Sequence, residues 1–248
     1  MPLLAFEDVS KHLVDGGGRS TAVLDRVSFE IEAGESVGVW GMRRSGKSTL
    51  LRIAAGVELP DSGVVRFEGR DVTRMSRTEV AQLLRAKIGL APMEWHATRN
   101  ELVVDHVALP ALSAEASLRD AQIAARAVLE RVGVTSRADA RMVELSPGER
   151  TRVSIARALV RNPVLVLVDE PAATPSPGDR DEIYALLRSL ARDSALTLVV
   201  ASEDVAAIRT ARRALTLSDG EIRSSDREGQ VVRFPRRRAG QADAGHGD

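Results

Sequence analysis

The feature that most constrains this chain is the segment Gly41–Thr49, which reads GMRRSGKST. It fits the pattern G-x-x-x-x-G-K-[ST], in which backbone N–H groups turn inward around phosphate oxygens. Residues 35–40 before it predict a short buried strand, and residues 49–54 after it predict a helix whose positive end faces the same anion. Motif and context therefore predict an α/β fold with a phosphate loop. The alternative is a glycine-rich turn that binds nothing.

Each residue type in this loop has an expected role. We expect Lys47 to reach the β- and γ-phosphates of a nucleotide and the Ser48 hydroxyl to ligate Mg²⁺. The other predicted nucleotide-binding residues of the loop are Gly41, Met42, Arg43, Arg44, Ser45, Gly46 and Thr49.

A second motif begins with the uninterrupted apolar run Val164–Val168, which is typical of a central parallel strand. Asp169 and Glu170 follow it directly. A carboxylate at the carboxyl end of a parallel strand points into the crevice where α/β sheets bind ligands. We expect Asp169 to hold Mg²⁺, directly or through water, and Glu170 to polarise the attacking water as the catalytic residue. The alternative is that both merely end a strand.

The first third of the chain predicts strands on either side of the loop. Leu3–Val9 is one, and residues 23–32, in which Val27, Phe29 and Ile31 alternate with polar residues, are a half-exposed second. An antiparallel pair ahead of a parallel core predicts a small β-subdomain. Further on, Arg77–Ala86 is predicted to be helical and Ile88–Ala91 to be a buried strand.

The middle of the chain, from Pro92 to Leu145, is predicted to be largely helical. One helical face there carries an apolar stripe, interpreted as core: Leu118, Ala121, Ala125, Val128, Leu129 and Val132. Ser146, Pro147 and Glu149 then form a helix start, with an N-cap, a proline at the first position and a capping box. The buried face of that helix is predicted to be Val153, Ala156, Leu159 and Val160.

The last third predicts a helix at residues 181–192, a buried strand Thr197–Ala201 and a hairpin that turns at Ser218–Gly220. The segment from 224 to 248 is polar and predicts a flexible tail. Its basic cluster Arg236–Arg238 is read as solvated, with anionic lipid as the alternative.

Composition excludes several classes of protein. The chain has 248 residues and no cysteine, so it forms neither disulfides nor thiolate metal sites. Its formal net charge of +0 gives no global field for nucleic acid, and no nucleic-acid partner is expected. We see neither a signal peptide nor an apolar stretch of about 20 residues, so we expect a cytoplasmic protein without a membrane span.

The order of motifs resembles the ATP-binding subunit of an ABC (ATP-binding cassette) transporter over roughly residues 3–223. It runs from the phosphate loop through a helical insert to LSPGER and VLVLVDEP. This resemblance implies a P-loop NTPase (RecA-like) core with an antiparallel β-subdomain and a helical subdomain at about 93–150. Asp105–Pro110 is similar to a segment of the macrolide-exporter and lipoprotein-release branch, itself similar to the bacterial cell-division ATPase.

The resemblance also implies partners. In this family two ATPase subunits, as a homo- or heterodimer, sandwich two ATP molecules head to tail between one phosphate loop and the other subunit's LSGGQ segment. Ser146 and Gly148 are carried over as contacts to the partner's γ-phosphate. The groove around Met93 is expected to receive an integral membrane permease subunit, which places the protein peripherally on the cytoplasmic face of the cell membrane.

Several family positions are altered, and they cluster at the chemistry. Arg44 replaces a glycine of the loop. Met93 replaces the glutamine that contacts Mg²⁺, and a thioether is a poor ligand for a hard cation. Pro147 replaces the first glycine of LSGGQ and lacks a backbone N–H donor.

Three further positions depart from the pattern. Ser176 replaces an aspartate that helps to pair the subunits. Ser202 replaces the switch histidine and cannot carry a positive charge near neutral pH. His12 holds the place of an aromatic residue that often stacks on adenine, and an exposed histidine is the plainer interpretation.

Our leading hypothesis is therefore an ATP-binding transporter subunit that hydrolyses ATP slowly. The first alternative is an ATP-binding regulatory or scaffolding subunit of a membrane complex with little or no hydrolysis, including a heterodimer in which another subunit supplies the intact residues. A DNA-repair ATPase is disfavoured because no long heptad run or cysteine is present. A small-molecule kinase would not explain LSPGER.

Overall fold

Two β-sheets organise the fold in a computed structural model. It describes residues 1–14, 16–18, 20–93, 100–112, 117–171, 173 and 176–225. The strands are β1 (Leu4–Val14), β2 (Ser20–Ile31), β3 (Ser36–Trp40), β4 (Ser62–Phe67), β5 (Arg70–Asp71), β6 (Ile88–Ala91), β7 (Leu165–Asp169), β8 (Thr197–Ser202), β9 (Arg213–Ser218) and β10 (Glu221–Ser225). The helices are α1 (Lys47–Ala54), α2 (Arg77–Ala86), α3 (Val103–Ala108), α4 (Leu118–Arg131), α5 (Pro147–Leu159), α6 (Pro177–Leu190) and α7 (Val205–Ile208).

The central sheet has six strands in the order β10-β9-β3-β8-β7-β6. All neighbours in it are parallel except the edge pair β9–β10. That pair is the predicted hairpin, and Asp219 and Gly220 at its turn both have positive φ, at 54° and 80°, as a tight primed turn requires. The continuous apolar runs of β7 and β8 follow from burial on both faces.

The second sheet is the predicted antiparallel β-subdomain, with strand order β2-β1-β4-β5. Val27 and Ile31 are buried and the residues between them more exposed, as their alternation predicts. The first strand was predicted to end at Val9, but β1 continues to Val14. Register shifts between β1 and β2, together with a positive φ of 48° at Asp8, break the two-residue period there. The pattern therefore hid the second half of the strand.

The helical insert and the β-subdomain pack on opposite faces of the central sheet. Within α4, Ala121, Ala125 and Leu129 are buried as predicted. Leu118 is not core: it is the first residue of the helix, after the N-cap Ser117, and is 56% exposed. The predicted helical stretch 92–145 consists of α3, α4 and short 3₁₀ turns, and its parts at 94–99 and 113–116 lie outside the described residues.

Helix α5 begins as predicted. Ser146 is its N-cap, Pro147 its first residue, and Glu149 completes the capping box. Its predicted apolar face is buried throughout. Helix α6 starts at Pro177, earlier than predicted, because Ser176 caps it.

The last strand, β10, extends two residues into the segment that was predicted to be a flexible tail. Ser224 and Ser225 of β10 pair with Leu215 and Ala214 of β9, so β10 continues past residue 223. The rest of the predicted tail, including Arg236–Arg238, lies outside the described residues. Across the parts that the structure describes, no helix combines the length and apolarity needed to cross a membrane.

Candidate nucleotide-binding site

A cleft of about 1250 Å³ opens at the carboxyl ends of β3, β7 and β8, where ligands bind in parallel sheets. The loop residues Met42–Thr49 line it together with Met93, Glu170 and Ser202. The structure thus brings the two sequence motifs and three of the altered positions, Arg44, Met93 and Ser202, into one cavity.

The phosphate loop has a strained but well-packed backbone. Gly46 has φ 99°, and a Cβ atom there would lie 2.5 Å from the carbonyl oxygen of Val23. Arg44 also has positive φ, at 65°, a region that costs a non-glycine residue roughly 1–2 kcal/mol. The Ser45 hydroxyl is buried and has no hydrogen-bond partner among the described residues. A bound phosphate oxygen would satisfy it.

Lys47 is the first residue of α1 and is buried. Its Nζ donates to the carbonyl oxygens of Gly41 and Met42, each at 2.9 Å, and lies 3.0 Å from Glu170 Oε1. An ammonium group has three donors, so all three are engaged. A phosphate that binds here must displace at least one of these partners.

Glu170 follows β7 with φ 47°, and its backbone N–H donates to the Ala201 carbonyl. Its carboxylate accepts from the Ser202 hydroxyl at 3.0 Å and from the Glu203 backbone N–H at 3.2 Å, besides contacting Lys47. Left-handed backbone at a non-glycine residue is a form of strain found at functional sites. The surrounding contacts fix the carboxylate in one place.

Asp169, the last residue of β7, is buried. Burial raises its pKa, against the opposing effect of a hydrogen bond from Ser48. Its Oδ1 atom has no hydrogen-bond partner among the described residues. A carboxylate and a hydroxyl are ligands that Mg²⁺ prefers when it also binds nucleotide phosphates, so Ser48 and Asp169 fit a magnesium ion. The part of the chain that the structure describes contains no cluster of three or more His, Asp or Glu residues that would hold a metal alone.

Ser202 is buried and joins a hydrogen-bonded chain that sequence reasoning missed. It donates to Glu170 and accepts from the Asp204 backbone N–H at 3.1 Å, while Asp204 accepts from the Tyr184 hydroxyl at 2.5 Å. Burial, and then this contact, raise the pKa of Tyr184. No motif links Tyr184 to Asp204, because they meet only when α6 packs against α7.

The predicted partner contacts lie elsewhere. Ser146 and Gly148 are at the start of α5 and do not line the cleft. The Ser146 hydroxyl accepts from the Glu149 backbone N–H at 3.1 Å. Gly148 is buried against Asp179 of α6: a Cβ atom added to Gly148 would lie 2.3 Å from the Asp179 carboxyl carbon. Ser176 caps α6 close to this contact.

His12 is exposed, as the plainer interpretation of this position predicts, and it contacts Asp61. Its Nδ1 lies 3.1 Å from Asp61 Oδ2, and its backbone N–H donates to the same carboxylate. It does not line the cleft, whereas its neighbours Leu13 and Val14 do. Stacking of His12 on adenine stays a prediction.

Comparisons with known proteins agree with this geometry. The ABC transporter family model matches residues 24–173. The lipoprotein-releasing system ATP-binding protein LolD of Shewanella frigidimarina is 36% identical over 88% of this chain and 91% of its own length. The cell division ATP-binding protein FtsE of Escherichia coli K12 is 37% identical over 89% of this chain and 97% of its own.

Solved structures give the same result. The dimeric ATP-binding cassette MJ0796, bound to ADP and Pi in a post-hydrolysis state, superimposes with a TM-score of 0.83 at 27% identity, covering 92% of this chain and 100% of that one. A nucleotide-free ATP-binding cassette of an ABC transporter, at 23% identity and a TM-score of 0.73, has the same fold. The family match, the two relatives and the cleft together show that this chain belongs to the ABC transporter family, as an ATP-binding subunit.

Proposed function

We propose that this chain binds Mg-ATP at the interface of an ATPase dimer and couples it to an integral membrane permease, with slow hydrolysis. It would act peripherally on the cytoplasmic face of the membrane. The observation that carries the proposal is the position of Glu170, which contacts Lys47 and Ser202 at 3.0 Å each, at the mouth of an intact phosphate loop. Binding elements and a carboxylate are therefore present in one cleft.

Magnesium binding is supported by the buried Asp169 and by Ser48, which hydrogen-bonds to it. When bound, the ion would neutralise phosphate charge. This chain's own residues would cradle the phosphates with the loop N–H groups, donate from Lys47, and orient a water from Glu170. Ser146 and Gly148 of the second subunit would approach the γ-phosphate from the opposite side.

Slow turnover is supported by three altered positions. Ser202 donates one neutral hydrogen bond where a cation is usual, Pro147 offers no N–H, and Met93 presents a thioether to the cleft. Loss of one well-placed electrostatic donor commonly costs about 100- to 1000-fold in rate. Such losses at one site do not simply add.

A second candidate is an ATP-binding regulatory or scaffolding subunit with little or no hydrolysis. It is favoured by the number of groups that already engage the Glu170 carboxylate: Lys47, Ser202 and the Glu203 backbone N–H. A carboxylate so fully engaged must first lose a contact before it can orient water.

Steady-state Mg-ATP turnover, with ATP affinity measured separately, tests both candidates. The slow-hydrolysis proposal expects wild type to bind ATP and to turn over above Glu170→Gln, while Lys47→Ala loses binding. Turnover equal to that of Glu170→Gln, with binding intact, favours the regulatory role. Absence of ATP binding would overturn both.

The cause of slow turnover has its own test. The double variant Ser202→His, Pro147→Gly restores a chargeable group and a backbone donor, so turnover should rise by about 100-fold or more. Reconstitution with the permease should raise turnover further. If the double variant hydrolyses no faster than wild type, these positions are not what limits the rate.

A further inference from the structure

The phosphate loop carries two arginines whose charge is not compensated within the described chain. Arg43 and Arg44 are both exposed and line the cleft. Neither forms an ion pair with any residue that the structure describes. The loop also holds Lys47, but that cation is already paired with Glu170. The loop therefore presents two free positive charges outward.

A negatively charged side chain lies on a different face of the molecule, next to the start of α5. Asp179 of α6 is partly exposed, and its carboxyl carbon lies where a Cβ atom of Gly148 would be, within 2.3 Å. No cation pairs with this carboxylate in the described ranges. A negative charge thus stands beside the glycine that would face the γ-phosphate of a second subunit.

The Asp179 carboxylate would repel the triphosphate of a second subunit unless a cation pairs with it. A carboxylate a few ångströms from a triphosphate repels it, and the repulsion is largest where a closed interface excludes water. A cation that pairs with the carboxylate removes the repulsion. In the head-to-tail dimer of the proposed function, the phosphate loop of one subunit faces the α5 start of the other, and so Arg43 and Arg44 approach the partner's Asp179 face.

We propose that Asp179 of one copy pairs with the Arg43–Arg44 pair of a second copy of this chain, twice in a symmetric homodimer. One arginine compensates the carboxylate and the other remains to attract phosphate. The two halves of the contact are complementary and lie on the same chain, which is what an isologous two-fold dimer requires. Ser176 replaces the family aspartate that helps to pair the subunits. The contact between Asp179 and the two arginines would hold the subunits together in its place. This inference rests on the proposed dimer.

The test is ATP-driven dimerisation, measured by light scattering in a Glu170→Gln background. Copy one carries Asp179→Lys, and copy two carries Arg43→Glu with Arg44→Glu. Each copy alone faces like charges at both contacts, so the ATP concentration for half-dimerisation should rise by at least about tenfold. Mixed together, the two copies match at both contacts, and a heterodimer should form at a lower ATP concentration than either copy needs to dimerise alone. The matched control is Asp181→Lys, the same charge change on an exposed residue of α6.

Three results would separate the possibilities. If the parental protein does not dimerise with Mg-ATP, the proposed function fails and this inference falls with it. If it dimerises but Asp179→Lys behaves like Asp181→Lys, only this inference is overturned. ATP affinity of each copy as a monomer is measured by nucleotide fluorescence. If copy two binds ATP but the mixture forms no heterodimer, the pairing is likewise overturned.

Discussion

At the scale of single residues, the contact between Lys47 and Glu170 makes the chain compete with its own ligand. Lys47 has three engaged donors, one of them to Glu170 Oε1 at 3.0 Å. We predict that Glu170→Gln raises the ATP affinity of the monomer severalfold, up to about tenfold. The reason is that a charge-assisted contact contributes about 1.5–3 kcal/mol, of which the amide keeps part. Titration with a fluorescent ATP analogue measures this.

The matched control for that prediction is Glu203→Gln. Glu203 lines the same cleft but is exposed and forms no contact with Lys47 among the described residues. Its affinity should change less than twofold if the direct contact is what matters. Equal gains in both variants would mean that general repulsion of phosphate, and not release of Lys47, sets the affinity.

Asp169 links the metal site to stability. Burial raises its folded-state pKa above the ordinary value of 3.8. The folded state then holds a proton that the unfolded state releases, so stability is lost as pH rises through the window from 3.8 to the raised value. We predict that Asp169→Asn raises the melting temperature of the nucleotide-free protein above this window, while the two proteins converge below it. The variant should also lose Mg²⁺-dependent stabilisation by ATP.

Thermal unfolding across the acid-to-neutral range checks this prediction. Asp181→Asn, at an exposed carboxylate on α6, should leave the pH profile unchanged. A variant at Asp169 that is less stable than wild type at neutral pH would show that the carboxylate is held by compensating contacts, against the burial effect.

At the scale of elements, the start of α5 combines a stabilising cap with a predicted ligand contact. Ser146 and Ser76 both open helices with a complete capping box, and Ser76 caps α2, which does not line the cleft. We predict that Ser146→Ala and Ser76→Ala each lower the free energy of unfolding by about 1 kcal/mol. Only Ser146→Ala should raise the ATP concentration needed for dimerisation. Urea unfolding and light scattering measure the two effects; a dimerisation defect of equal size in Ser76→Ala would reduce the role of Ser146 to that of a cap.

The same elements show how far sequence reasoning reaches. Helix α5, the hairpin at Asp219–Gly220 and the apolar strand β7 follow from local signals, because capping, turn chemistry and burial act within a few residues. The second half of β1 was missed because its bulges are set by pairing with β2 and β4, which no local period records.

The candidate site shows the same division. Both motifs were placed in one cleft from the sequence, since strand ends of a parallel sheet converge. The pairing of Lys47 with Glu170, the bond from Tyr184 to Asp204 and the capture of His12 by Asp61 were not predicted. Each joins residues from separate elements, so it depends on how side chains pack after the chain has folded.

At the scale of the whole molecule, the central sheet separates two hydrophobic cores. Strand β7 serves both, since Leu165 packs with the β-subdomain and α1, and Val166, its neighbour, packs with the helical insert. Lys47 and the phosphate loop lead into α1, whose Leu50, Leu51 and Ile53 belong to the first core. The phosphate loop is therefore connected directly to the first core, through α1. An effect of nucleotide binding on the second core must pass through the central sheet.

This arrangement predicts how unfolding and ligand binding are linked. Leu165→Ala should cost about 2–5 kcal/mol and Val166→Ala about 1.5–3 kcal/mol, each at the end of β7 away from Asp169. Because the shared sheet couples the cores, both variants should still unfold in one transition. Mg-ATP at 100 times its Kd should stabilise each by the same ~2.7 kcal/mol as wild type. Calorimetry with and without Mg-ATP measures this. A separate early transition in Val166→Ala that Mg-ATP does not raise would mean that the helical insert unfolds on its own, and that ATP binding reaches it only after a partner has closed on the cleft.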